Sequence, residues 1–261
     1  MYITDKQIVQ NRFGRTLETY NRQAFVQQQI ASKLAGLLLN FNRKHFKRVL
    51  EIGCGTGFLT QKILSNSSVG EYMLNDLVDS AFKEVREITA GLNFGKYKFI
   101  SGDAEATAFP DNIDAVFSSS SFQWFNNLES FISKMCSLLN SDGIIAFSTF
   151  GKDNFREIKT ILNVGLNYKT LPEIISFVKP DFDIIHVEEW WQQEQFQSPN
   201  TVLKHMKLTG VNGLKKSFFG KAKLLAFNEK YRRLFSNKDK SVNLTYHPII
   251  IIAKKKRDER D

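Results

Sequence analysis

The chain is short of the residues that most directly announce a chemistry. Its two cysteines, Cys54 and Cys136, are too few for a disulfide framework or a cysteine metal site. Both read as small packing residues. The four histidines, His45, His186, His205 and His247, show no ligand spacing, so no metal is expected. There is no apolar run of about eighteen residues, which excludes a membrane-spanning helix. The opening "MYITDKQIVQNRFGR" lacks the apolar stretch of a secretory signal. No internal repeat and no interdomain linker stands out. These absences lead to the expectation of a cytoplasmic protein without membrane association.

What is present is ordinary for a globular chain: 42% hydrophobic and 24% charged residues over 261 positions. The net charge of +9 admits nucleic acid, an anionic membrane or an acidic protein as partner and selects none of them. Mere solubility is the plainer reading. The length suits a single domain. It divides into an N-terminal helical cap (1–45), a core (46–150), later insertions with the last strands (151–253) and a charged tail (254–261).

Residues 7 to 40 carry apolar side chains at helical spacing, among them Leu17, Phe25, Ile30, Leu34 and Leu38. From "VLEI" onward the pattern alternates: strand, glycine turn, helix, then "EYMLND", "YKFIS", "IDAVFSSS" and "GIIAFSTF" as strands with helices between. Such alternation predicts an α/β fold, a doubly wound and mostly parallel sheet. After residue 150 the order loosens. "FDIIHVEEWWQQEQF" and "NLTYHPIIIIAKKK" read as strands flanking a basic helical segment.

The strongest local signal is "VLEIGCGTG", in which Gly53, Gly55 and Gly57 alternate between a strand and a helix. A turn this tight needs residues without a Cβ, and a ligand must approach its backbone closely. The spacing is not the G-x-G-x-x-G of a dinucleotide loop, nor does G-K-[ST] follow as in a P-loop. An acidic residue about twenty positions on, at the end of the next strand, would grip ribose hydroxyls. Asp76 stands there, with Leu77 beside it. A carboxylate accepts two hydroxyl hydrogen bonds well, although a turn aspartate would look the same in sequence.

E-x-G-x-G-x-G, here Glu51 to Gly57, resembles motif I of the class I S-adenosylmethionine-dependent methyltransferases. The resemblance implies a Rossmann-like, seven-stranded, mostly parallel sheet with helical insertions forming a cap. It implies S-adenosylmethionine as cofactor and S-adenosylhomocysteine as product. Glu51, Gly53, Cys54, Gly55 and Gly57 would hold the amino-acid end of the cofactor. In "GDAE", Asp103 would bond the adenine amino group and the Ala104 N–H would meet the ring.

The acceptor is narrowed first by absence. The five prolines include no Pro-Pro pair, so the [DNS]-P-P-[YFW] loop used on exocyclic base nitrogens is missing. No cysteine sits where cytosine C5 chemistry needs a nucleophile. Four further stretches, "FGRTLETYNRQAFVQQQIASKL", "FSSSSFQWFNNLESF", "FSTFGKDNFREI" and "LKHMKLTGVNG", occur in an order similar to that of the malonyl-[acyl-carrier protein] O-methyltransferase family. The chain departs from the family pattern at Ser118-Ser119, where Ser-Asn is frequent, and at Tyr20-Asn21, where Tyr-Asp is. The resemblance implies methylation of the free carboxylate of a malonyl thioester at the start of pimeloyl and biotin synthesis. An acidic acyl-carrier protein or coenzyme A would carry the malonyl group, and the enzyme would be a monomer. The rival acceptors are another small carboxylate, a quinone precursor or, further off, RNA.

An ionised carboxylate needs no general base, which agrees with the lack of a His–carboxylate pair in the motifs. Tyr20 and Gln27 would close over the cofactor, or simply pack an amphipathic helix. Ser119, or its neighbour, and Trp124 would wall the methyl site. Phe122 would do so too, or pin the loop. Arg156 would hold the acceptor carboxylate, or be a surface arginine. Trp190 and Trp191 would face opposite sides of one strand. Lys204, Lys207, Lys215, Lys216, Lys221 and Lys223 would meet an acidic carrier, or form a solvated face.

Overall fold

The computed structural model describes residues 4–40, 45–92, 95–210 and 220–257. Lys215, Lys216, the end of the "LKHMKLTGVNG" stretch and the last four residues of the tail lie outside them. Three helices open the chain: α1 (Lys6–Gly14), α2 (Leu17–Gln23) and α3 (Phe25–Asn40). The helical pattern over 7–40 is therefore broken twice. Asp5 starts α1 by accepting the Ile8 N–H through its side chain. Ala24, wholly buried, is the pivot between α2 and α3.

The core then alternates as its pattern predicts: β1 (His45–Ile52), α4 (Phe58–Leu64), β2 (Ser68–Asp76), α5 (Ala81–Ile88), β3 (Lys96–Ser101), β4 (Ile113–Ser118), α6 (Leu128–Leu138) and β5 (Leu139–Phe150). After it come α7 (Arg156–Leu162), α8 (Leu171–Val178), β6 (Phe182–Glu189), β7 (Gln192–Phe196), α9 (Pro199–Leu208), α10 (Lys221–Phe235), β8 (Val242–Tyr246) and β9 (Pro248–Lys255). Seven strands form one sheet in the order β3-β2-β1-β4-β5-β9-β6. It is parallel from β3 to β5, and β9 runs antiparallel to both of its neighbours. Strands buried on both faces read as unbroken apolar runs. β4 is buried along its whole length and β9 over its first six residues.

Two strand-like runs of the sequence are each split between sheets. β6 belongs to the large sheet and β7 pairs with β8 in a separate two-stranded one. β8 and β9 part in the same way at His247. Trp190 and Trp191 thus do not alternate within one strand, because they occupy the crossing between two. Trp190 packs on the core beneath the Lys33 ammonium, 4.2 Å from its ring centroid. Trp191 stacks on His247 with ring centroids 4.4 Å apart. The imidazole Nδ1 accepts the Asp153 N–H, and Nε2 lies 2.8 Å from Glu189 Oε2. One histidine thereby ties the end of β5 to both crossings. Among the described residues no helix is long and apolar enough to cross a membrane.

Candidate active site

A cleft of about 1000 Å³, counting its open mouth, lies over the carboxyl ends of β1 to β4. This is where ligands bind in open α/β sheets. Its floor is built strand by strand. β1 delivers Glu51 and the turn Gly53–Thr56; β2 delivers Asn75, Asp76 and Leu77; β3 leads to Asp103 and Ala104; β4 leads to Ser119, Ser120, Ser121 and Trp124. The roof comes from the helical cap. Lys6, Val9 and Phe13 of α1 and Leu17 and Tyr20 of α2 border the cleft, at spacings of three and four that keep each set on one face of its own helix. Gln27 of α3 completes it.

The glycine turn follows from contacts. Gly53, Gly55 and Gly57 have φ of 65°, 52° and 85°, the left-handed region that disfavours a Cβ. A Cβ on Gly53 would overlap the Ser121 hydroxyl, so the serine run seals the glycine turn from above. A Cβ on Gly55 would meet no atom within 4 Å. It would fill the cleft instead. Gly57 does not border the cleft, contrary to the expectation that it holds the ligand. Its missing Cβ makes room for Ile88 and Val85 of α5, so it serves helix packing.

Asp76 is clamped. Oδ2 accepts the Gly55 N–H and Oδ1 the Val78 N–H, both at 2.8 Å. Burial raises its pKa, and the backbone donors offset part of that rise. Glu51 is deeper, with Oε2 accepting the Thr60 and Tyr72 hydroxyls at 2.8 and 2.7 Å. Burial pushes its carboxyl up to about 7 despite those bonds. Burial also raises the Cys54 thiol well above its ordinary range, which makes it a packing residue and not a nucleophile. The Tyr20 hydroxyl is likewise held neutral. Its ring stacks on Phe58 at 5.9 Å, and Phe13 meets Trp124 edge-on at 5.6 Å.

Of the residues the sequence singled out, Tyr20, Gln27, Glu51, Gly53, Cys54, Gly55, Asp76, Leu77, Asp103, Ala104, Ser119 and Trp124 converge on this cleft. Arg156 does not. It opens α7 with a half-exposed side chain whose Nε lies 3.6 Å from Glu157 Oε1. Glu157 itself is buried, accepting the Thr245 N–H and hydroxyl. That anchor fixes α7 so that its first residue points outward. Phe122 pins the loop, packed between Phe125, Phe131 and Phe147. Neither Trp190 nor Trp191 borders the cleft.

Sequence reasoning missed Lys6, Phe13, Thr56, Phe58 and Asn75, and reached Ser120 only as an unnamed neighbour of Ser119. Lys6 Nζ lies 3.2 Å from Asp103 Oδ1, 2.8 Å from Glu105 Oε2 and 4.6 Å from the Phe125 ring centroid. Three polar oxygens bordering the cleft, on Gln27, Thr56 and Ser120, are buried and unpartnered. Buried polar atoms are rarely left so, and these suit a polar ligand. Together with the open space beside Gly55, they fit a group of the kind the glycine turn and the two aspartates imply.

Sheet order, glycine turn and the aspartate that ends β2 agree with a class I, Rossmann-like methyltransferase, and residues 44–217 match the family described as Methyltransferase domain. A malonyl-[acyl-carrier protein] O-methyltransferase of Bacteroides helcogenes is 38% identical over 97% of this chain and 99% of its own. One from Bacteroides fragilis is 40% identical over 97% of this chain, which spans about half (51%) of that longer relative. The chain belongs to the malonyl-[acyl-carrier protein] O-methyltransferase family. Among solved structures, the N-methyltransferase NodS of Bradyrhizobium japonicum, in complex with S-adenosyl-L-homocysteine, shares the fold. Its TM-score is 0.55 at 10% identity, over 95% of this chain and 98% of that one.

Proposed function

We propose that the chain methylates the free carboxylate of a malonyl group carried as a thioester by an acidic acyl-carrier protein, with S-adenosylmethionine as donor. Esterification hides the charge, so that chain-elongating enzymes accept the disguised malonyl unit. The observation that carries this reading is the cleft itself: Gly55, Asp76 and Asp103, from three successive strands, open onto one space roofed by Tyr20 and Gln27.

When bound, S-adenosylmethionine supplies a sulfonium methyl: the carboxylate oxygen takes the methyl and sulfur keeps the bonding pair. The protein's part is placement and desolvation. Each Asp76 oxygen already accepts one backbone N–H and has a lone pair left for a ribose hydroxyl. Asp103 Oδ1 already accepts from Lys6 Nζ and the Glu105 N–H, which leaves Oδ2 for an adenine amino group. Gln27 Oε1, buried and unpartnered, would accept from the ammonium. Tyr20, Phe58, Phe13 and Trp124 exclude water and favour a cation near their faces. A malonyl carboxylate is ionised at pH 7, its pKa being about 4, so no base is needed.

The test is transfer of labelled methyl from S-adenosylmethionine to malonyl-carrier protein, malonyl-CoA and succinyl-carrier protein. Preference for the malonyl carrier supports the reading. Transfer to none of the three sinks it.

A further inference from the structure

We propose that the Ser120 hydroxyl, held in a strained backbone by Ser148, binds and orients the acceptor carboxylate; this rests on the function proposed above. Ser120 has φ 54°. A residue with a Cβ adopts this left-handed conformation only where its surroundings enforce it. Here they do. Its N–H donates to both the Ser148 carbonyl, at 3.1 Å, and the Ser148 hydroxyl, at 2.9 Å. Its carbonyl accepts Gln123 Nε2 at 2.6 Å. Ser148 is wholly buried in β5. Every backbone polar group of Ser120 is thus engaged, while its Oγ is buried without a partner in a residue that borders the cleft. Glycine would hold this turn without strain. A serine here spends conformational energy to present a hydroxyl that the resting fold does not use.

Sheet order indicates what the hydroxyl meets. Asp103 follows β3, Asp76 ends β2 and the glycine turn follows β1, so adenine, ribose and amino acid would lie along β3-β2-β1. The transferable methyl then points toward β4 and β5, where Ser120 and Ser148 stand. Charge gives an independent argument. An acceptor carboxylate needs donors. Among the described residues Lys6 is the sole lysine or arginine on the cleft, and it is paired at the far end with Asp103 and Glu105. Among the described residues the carboxylate is then left to neutral donors, and a hydroxyl on the β4 side supplies one. Gln27, 4% exposed with an unpartnered Oε1 on the same cleft, is an independent sign that this space takes a polar ligand.

Ser120→Gly separates the roles, because it relaxes the backbone while it removes the hydroxymethyl group. We expect a melting temperature equal to or above that of the wild type and a dissociation constant for S-adenosylhomocysteine within about twofold of it. The kcat/KM for the malonyl thioester should fall about 10- to 100-fold, the worth of a hydrogen bond to a charged group. Ser120→Ala should show the same kinetic loss while keeping the strain. Ser148→Ala, which frees one bond on the Ser120 N–H, should lower kcat/KM less. Unchanged kcat/KM in Ser120→Gly and Ser120→Ala overturns the inference. So does a loss of S-adenosylhomocysteine affinity as large as the kinetic loss. A wild-type chain that binds S-adenosylhomocysteine but methylates no malonyl thioester overturns the functional reading and this inference together.

Discussion

Gly53 and Ser121 compete for one small volume, and the turn exists because one of them has no side chain. Gly53→Ala adds a left-handed Cβ to an overlap with that hydroxyl. It should cost about 2 kcal/mol or more in chemical denaturation. Adding Ser121→Gly should return the overlap part and not the backbone part. Glu51 gives a pH signature. Its carboxyl titrates at about 7 in the fold against 4.5 ordinarily. Between those values the folded chain holds a proton that the unfolded chain releases, so stability falls as pH rises through the window and levels off above it. The fall is about 3 kcal/mol. Glu51→Gln keeps an acceptor for Thr60 and Tyr72 and removes the titration. Its melting temperature should therefore gain on the wild type between pH 5 and pH 8, and parallel curves would contradict this. Glu51, Asp76 and Asp103 were legible in sequence because strand ends and glycine spacing are local. The αL backbone of Ser120 was not, since four serines in a row carry no mark of which one is bent.

At the scale of elements, the roof is a helix pair whose inner face spans Lys6 to Tyr20. It is fastened at its outer end by the Lys6 pair with Asp103 and Glu105, and by the Thr4 N–H on Asn126 Oδ1 at 2.7 Å. A lid clasped onto the adenine end of the cleft should slow ligand escape. Lys6→Met should speed S-adenosylhomocysteine dissociation several-fold in stopped-flow and weaken its dependence on salt. An unchanged rate would leave the clasp without that role. The helical pattern announced these elements. It did not announce that their apolar stripe covers a cleft instead of a core, because both demand the same spacing. Arg156 shows the reverse error: a plausible cation after β5 is turned outward by its neighbour Glu157, whose partner Thr245 lies far along the chain.

For the whole molecule, the net charge of +9 predicts electrostatic steering of an acidic carrier. Exposed Lys204, Lys207 and Lys221 lie on α9 and α10. The kcat/KM for malonyl-carrier protein should fall steeply with ionic strength, and Lys204→Glu with Lys207→Glu should lower it at low salt. Equal salt dependence with a small malonyl thioester, whose one charge is its carboxylate, would argue against docking. The five parallel strands of the large sheet were legible from alternation and its count of seven from the family resemblance, whereas the second sheet was not. Each of its strands is continuous in sequence with a strand of the first, and only a three-dimensional corner divides them. Those corners have a further consequence. The chain leaves the large sheet after β6 and returns to it at β9, and these two strands are antiparallel neighbours. Such neighbours can be joined by a two-residue hairpin. Everything from Trp190 to His247 is thus a detour that the sheet's register does not require, and every described residue bordering the cleft lies before it. A change in that detour leaves the sheet's register intact and reaches the cleft through the cap, where Val202 and Met206 cluster with Val26 and Ile30 of α3.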